Sequence, residues 1–137
     1  MKSGEYIIAK THADLLNKVL GTHYKAWMKS GITLSDGRWL WMIRLNRSVN
    51  SSGWMNYMES EDRLVEKAIS PKYEDHHTYI QAVMSARVGR FEDRAVFDIV
   101  DYGTYRKYIF RGVFKLNKAE CTENINIWDK IISDYRF

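Results

Sequence analysis

The chain has 137 residues, 45% of them apolar and 14% aromatic, with a formal charge of +4 and one cysteine. That length suits one domain with an independent core, and the lone Cys121 excludes an intrachain disulfide and any Cys-paired zinc or iron–sulfur site. One Pro and no Ser/Gly tract argue against a disordered linker, so residues 1–137 are expected to form a single domain.

Charge is uneven along the chain. Residues 1–58 hold eight Lys/Arg against three acids, 59–86 three against six, and 87–118 eight against four. A patch built from the two basic blocks would attract nucleic acid or another acidic partner. The opening MKSGEYIIAK breaks to charge before a signal-peptide core can form, and the longest apolar run, Trp39 to Ile43, is too short for a bilayer. The expected setting is the cytoplasm, without membrane contact.

In chain order, Tyr6 to Ala9 suits a short strand. Thr11 caps a helix with Asp14 three residues on, and Leu16, Val19, Leu20, Tyr24 and Trp27 give it one apolar face. Gly21 ends or merely interrupts that helix, and Gly31 is the stronger stop. Ser35-Asp36-Gly37 reads as a turn before the clearest strand, Arg38 to Leu45. Trp39, Trp41, Ile43 and Leu45 share one face of it and Leu40, Met42 and Arg44 the other, so a central place is expected. Residues 46–53 form a polar loop and Trp54 to Met58 a short strand. Glu59 to Ser70 fits helix or strand, with strand favoured. Pro71 to His77 reads as a loop, and Tyr79 to Val88 stays ambiguous.

Ala95 to Val100 and Tyr105 to Phe114 flank the turn residues Asp101-Tyr102-Gly103 as an antiparallel hairpin, and Gly112 suggests a bulge or bend in its second arm. Leu116 to Asn124 is a loop. Ile125 to Ile132 closes the sheet or starts a terminal helix. The fold class is α+β: a curved, largely antiparallel sheet, open or barrel-like, with one or two helices. Parallel α/β is disfavoured because the best strands are joined too tightly for crossover helices.

Catalytic patterns are poor. Glu74, Asp75, His76 and His77 are dense ligands without a spaced framework. Glu59, Glu61, Asp62, Glu66 and Asp98 would have to converge on a metal for a small nuclease, and otherwise form a solvated acidic face. Cys121 sits between acids, which oppose thiolate formation. No catalytic residue, metal or cofactor is expected.

Aromatic and basic residues carry more. Trp39 and Trp41 lie near Arg38 and Arg44, and Trp54, Asn56 and Tyr57 follow the polar loop. In the hairpin, Arg106, Tyr108 and Phe110 share a face, with Lys107 and Arg111 on or near the other. Guanidinium groups grip phosphate two-pronged and rings stack on bases, with Asn56 or Asp98 to read a base edge. The competing reading packs the tryptophans in the core under Arg and Lys stems.

The segments GRWLWMIRLNR, GWMNYMESEDRLVEK, RAVFDIVDYGTYRKYIFRGVF and INIWDKIIS resemble small β-barrel modules of the PUA/SRA-like class, over roughly residues 37–133. In that class curved sheets read nucleic acid or modified bases, often beside nuclease or helicase domains. The resemblance implies an aromatic pocket drawn from Trp39, Trp41, Trp54 and Tyr108, and phosphate contacts at Arg44, Arg106 or Arg111. The expected function is recognition of DNA or RNA, with a modified or extruded base as the target and no catalysis. The alternatives are a phage- or mobile-element-encoded inhibitor that binds an acidic protein surface, and a metal-dependent nuclease.

Overall fold

Helix α1, His12–Leu20, begins where Thr11 in extended backbone accepts a hydrogen bond from the Asp14 amide at 3.1 Å. It ends at Gly21, not Gly31. Gly21 takes the left-handed conformation at φ 67 and returns its N–H to Asn17. The Asn17 side chain then binds Thr22 and Tyr24 and turns the chain away. Gly31 instead permits a close approach of the short strand Gly31–Thr33 to its neighbour, since a Cβ there would lie 2.3 Å from the Leu40 carbonyl oxygen and 2.4 Å from the Trp39 ring.

The computed structural model describes residues 1–51, 53–69, 93–122 and 124–137. Their strands are β1 Tyr6–Ala9, β2 Gly31–Thr33, β3 Trp39–Ile43, β4 Trp54–Ser60, β5 Arg63–Ala68, β6 Asp93–Asp101, β7 Arg106–Leu116 and β8 Ile125–Ile132, and Lys118–Glu120 form a 3-10 turn. The expected loop at Pro71–His77, its Glu74–His77 ligand set and the segment Tyr79–Val88 lie outside the described residues. Glu59–Ser70 is strand rather than helix, but not one strand: over its described part it holds the end of β4, a turn at Glu61 and Asp62, and β5, while Ile125–Ile132 joins the sheet as a strand. No helix among the described residues is long and apolar enough to cross a membrane.

The strands form one sheet in the order β2-β3-β6-β7-β8-β5-β4, with β1 also on β7. Pairing is antiparallel except between β3 and β6, which run parallel. Short connections argue against parallel pairing, but the chain between these two strands includes the whole β4–β5 hairpin, ample for a crossover. In β7 the expected bulge is present: Val96 faces Gly112 while Phe97 faces Phe110, which leaves Arg111 extra. Gly112, at φ 113, takes the positive-φ conformation. Beyond this bend β7 pairs with β8, and before it with β1.

Both faces are apolar, as the pattern of β3 predicts. Leu40 and Met42 join Leu15 and Leu16 of α1, Phe97, Tyr108 and Phe110 on the outer face. Trp41 and Ile43 join Leu64, Val96, Phe114, Leu116 and Trp128 on the inner face. Three strands separate β3 from β5 in the sheet order, yet Trp41 and Leu64 share a cluster. The sheet is therefore curled around this inner core, and its end strands β2 and β4 remain unpaired with each other among the described residues.

Candidate nucleic-acid interface

The curl brings the two free edges of the sheet to one recess. Ser30, just before β2, meets Trp41 and Ile43 of β3, Trp54 and Asn56 of β4, and Glu66 of β5 around about 310 Å³. Five of the lining residues also border an adjoining cavity of about 410 Å³, which reaches His12 and Arg44. Both volumes fall in the range of small-molecule sites, about 300–1,000 Å³.

The polar groups of the recess form a row across three strands. Asn56 is in register with Glu66, and Glu66 with Asn126. All three are buried. Glu66 Oε1 accepts from Asn126 Nδ2 at 3.0 Å and from Trp128 Nε1 at 3.2 Å. Its Oε2 faces Arg94 Nη1 at 3.9 Å. The Arg94 guanidinium lies 4.4 Å from the Trp41 ring centroid and 4.3 Å from that of Trp128. Burial pushes Arg94 below the ordinary guanidinium value, and the charge of Glu66 opposes that shift. Asn56 differs from the rest of the row: its Oδ1 is buried with no hydrogen-bond partner among the described residues, although the side chain borders the recess.

Of the residues expected from sequence, Trp41, Trp54 and Asn56 come together here. Trp39 is half-buried against the same inner core. Arg44 lines the adjoining cavity and binds Asp101 through Nε at 3.0 Å and Nη2 at 3.2 Å, and Arg106 reaches the same carboxylate at 3.2 Å. The hydrogen bond from Arg44 is the main force holding Asp101 below the usual carboxylate range. Lys107 sits over the rings of Tyr6 and Tyr102. Tyr108 is fully buried on the outer face, with its hydroxyl 2.8 Å from His12 Nδ1. Arg111 is apart from the recess, at 2.8 Å from Asp98.

The acids weighed for a metal separate. Glu59, Glu61 and Asp62 are exposed on the β4–β5 hairpin, Asp98 accepts from Arg111 and the Leu45 amide, and Glu66 lines the recess. No group of three potential ligands gathers among the described residues. Cys121 Sγ is engaged by the Asn117 carbonyl and the Ile127 amide. Sequence reasoning missed Arg94, Asn126 and Trp128 as supports of the recess. The available signal was a charged residue at an inward position of a strand, since Arg94 shares its face with Val96.

The curled sheet thus carries at its seam a ring-lined recess with the buried polar side chains Asn56 and Glu66. A family model described as the SET and RING associated domain, SRA, matches residues 2–137. The chain belongs to the SRA family, and is a nucleic-acid recognition module of the modified-base type. A solved structure, "The 5-Hydroxymethylcytosine-Specific Restriction Enzyme AbaSI", shares the fold at a TM-score of 0.72 and 20% identity, covering 95% of this chain. The chain spans 40% of that protein's length. No curated protein matches the chain.

Proposed function

We propose that residues 1–137 act as one domain that takes a modified cytosine, extruded from duplex DNA, into the recess between β2 and β4. The observation that carries this reading is the buried Asn56 Oδ1, which has no hydrogen-bond partner among the described residues. A buried acceptor costs free energy unless a donor meets it, and the exocyclic amine of cytosine supplies one. Asn56 Nδ2 then has ring N3 as its acceptor. Glu66 Oε2, with the other oxygen already taken, accepts from the amine or from a hydroxymethyl group at C5. Thymine presents O4 where cytosine carries its amine, and a carboxylate repels it. Trp54 and Trp41 provide apolar walls, and the energy of stacking replaces part of what the base loses on leaving the duplex.

The solved relative's title names 5-hydroxymethylcytosine, which makes that base the first ligand to test. Arg44, which lines the adjoining cavity, and Arg106, which shares its Asp101 partner, are the proposed contacts to the phosphates of the strand that carries that base. The domain discriminates by binding and leaves any cleavage to other domains.

Fluorescence anisotropy with duplexes carrying one cytosine, 5-methylcytosine or 5-hydroxymethylcytosine tests this. Tighter binding to a modified duplex than to the plain one is expected. The gap should close with Trp54→Ala. Equal affinity for all three duplexes would rule the reading out.

A further inference from the structure

The segment joining β3 to β4 has cavities on both sides. Asn46 borders the outer part of the base recess and also a second cavity of about 390 Å³, lined by Arg47, Arg111 and Lys130. We propose that this second cavity is a phosphate site, which grips the backbone of the DNA strand that delivers the base.

The bulge at Gly112 makes the site. It inserts Arg111 as an extra residue and sets its guanidinium against Asp98, with Nη2 donating to Oδ2 at 2.8 Å. Asp98 Oδ1 accepts from the Leu45 amide at 3.1 Å. The one inner acid is thus occupied at both oxygens and its charge is balanced. Arg111 Nε remains buried with no hydrogen-bond partner among the described residues. Such an orphan donor calls for an acceptor.

The other two cations are also available. Among the described residues Lys130 Nζ gives one hydrogen bond, to Ser3 Oγ at 3.1 Å, and an ammonium has three to give. The Arg47 guanidinium lies 4.0 Å from the Tyr57 ring centroid and pairs with no carboxylate among the described residues. The ring supports the guanidinium, whose fork suits a two-pronged grip on phosphate. Among the described residues, the one acid that stands against Arg47 and Lys130 in this cavity is the exposed Glu61. The cavity is therefore net cationic, while the base recess beside it carries the carboxylate of Glu66. A strand crossing the segment between them can put a base on one side and a phosphate on the other.

This proposal rests on the DNA-binding reading, but not on which base is read. Its test is the salt dependence of affinity for plain and modified duplexes, with Arg47→Ala and Lys130→Ala beside a Lys25→Ala control. Each lost phosphate contact should lower the slope of log K against log salt by about one. Arg47→Ala and Lys130→Ala should weaken both duplexes equally, leave the modified-to-plain ratio intact and leave melting unchanged. Slopes equal to the control in both variants would overturn the site. Displacement of bound duplex by millimolar deoxycytidine monophosphate, with slopes unchanged, would instead mark a free-nucleotide site and also overturn it. If wild type binds all duplexes alike yet the slopes fall, the base reading fails and the phosphate site stands.

Discussion

Asn56→Leu separates the needs of folding from those of recognition. In the free protein Asn56 is 8% exposed and its Oδ1 has no partner among the described residues. An unmet buried acceptor costs about 1–3 kcal/mol, and leucine removes it at similar volume. Since the recess still admits some water, the lower end applies. The variant should gain about 1 kcal/mol, which raises Tm by about 4 °C for a chain of this size. Binding should move the other way. The bound base would keep an unpaired amine in a dry pocket, a loss of about 1–3 kcal/mol or roughly 5- to 150-fold in affinity for the modified duplex. Differential scanning calorimetry reads the first effect and anisotropy titration the second. Destabilisation beyond about 1 kcal/mol with the modified-to-plain ratio preserved would mean that Asn56 is a structural residue with partners of its own, and would refute the reasoning.

Arg94→Met leaves Glu66 without its buried cation and removes contact with two indole rings, so a loss of about 3 kcal/mol or more is expected in urea denaturation. Adding Glu66→Gln should restore part of that loss, and strictly additive losses would show that the two residues do not interact. Gly31→Ala should cost about 1–3 kcal/mol, because its Cβ meets backbone and an indole that cannot both yield; an unchanged melting curve would contradict this. His12 is held below its ordinary 6.5, first by burial and then by Arg106 and Arg44. Its Nδ1 lies 2.8 Å from the Tyr108 hydroxyl, within hydrogen-bond reach. Above the unfolded value both states are neutral and the stabilisation is complete; as pH falls toward the folded value the unfolded chain takes up the proton first, and stability drops. His12→Gln should flatten the fall in that window. Parallel curves for the two proteins would exclude His12 as its source.

Local chemistry is legible in the chain where neighbouring residues decide it. Thr11 with Asp14 marks the helix start, Gly112 the bulge, and the two apolar faces of β3 its central place. The end of α1 is harder to read, because Gly21 acts through its backbone conformation and through Asn17, four residues earlier, which reads as an ordinary helical residue. At the site, Trp41, Trp54 and Asn56 can be named because each sits on a recognisable strand. Glu66 is visible only as one acid among several near the hairpin. Arg94 is invisible as its counterpart, because β5 and β6 are not neighbours in the sheet and meet only through its curl. Closure of a sheet is set by twist and by packing among distant strands, and no local pattern encodes it. The same reason hides the fate of Tyr108, whose aromatic character suits a base platform and a core equally until the face is known.

The most direct measurement is a crystal structure of the chain with a duplex that carries one 5-hydroxymethylcytosine. The base should stand outside the helix, between the walls formed by Trp54 and Trp41, with its amine on Asn56 Oδ1. A complex in which that cytosine stays paired and stacked, with the seam between β2 and β4 unfilled, would contradict the account at its root.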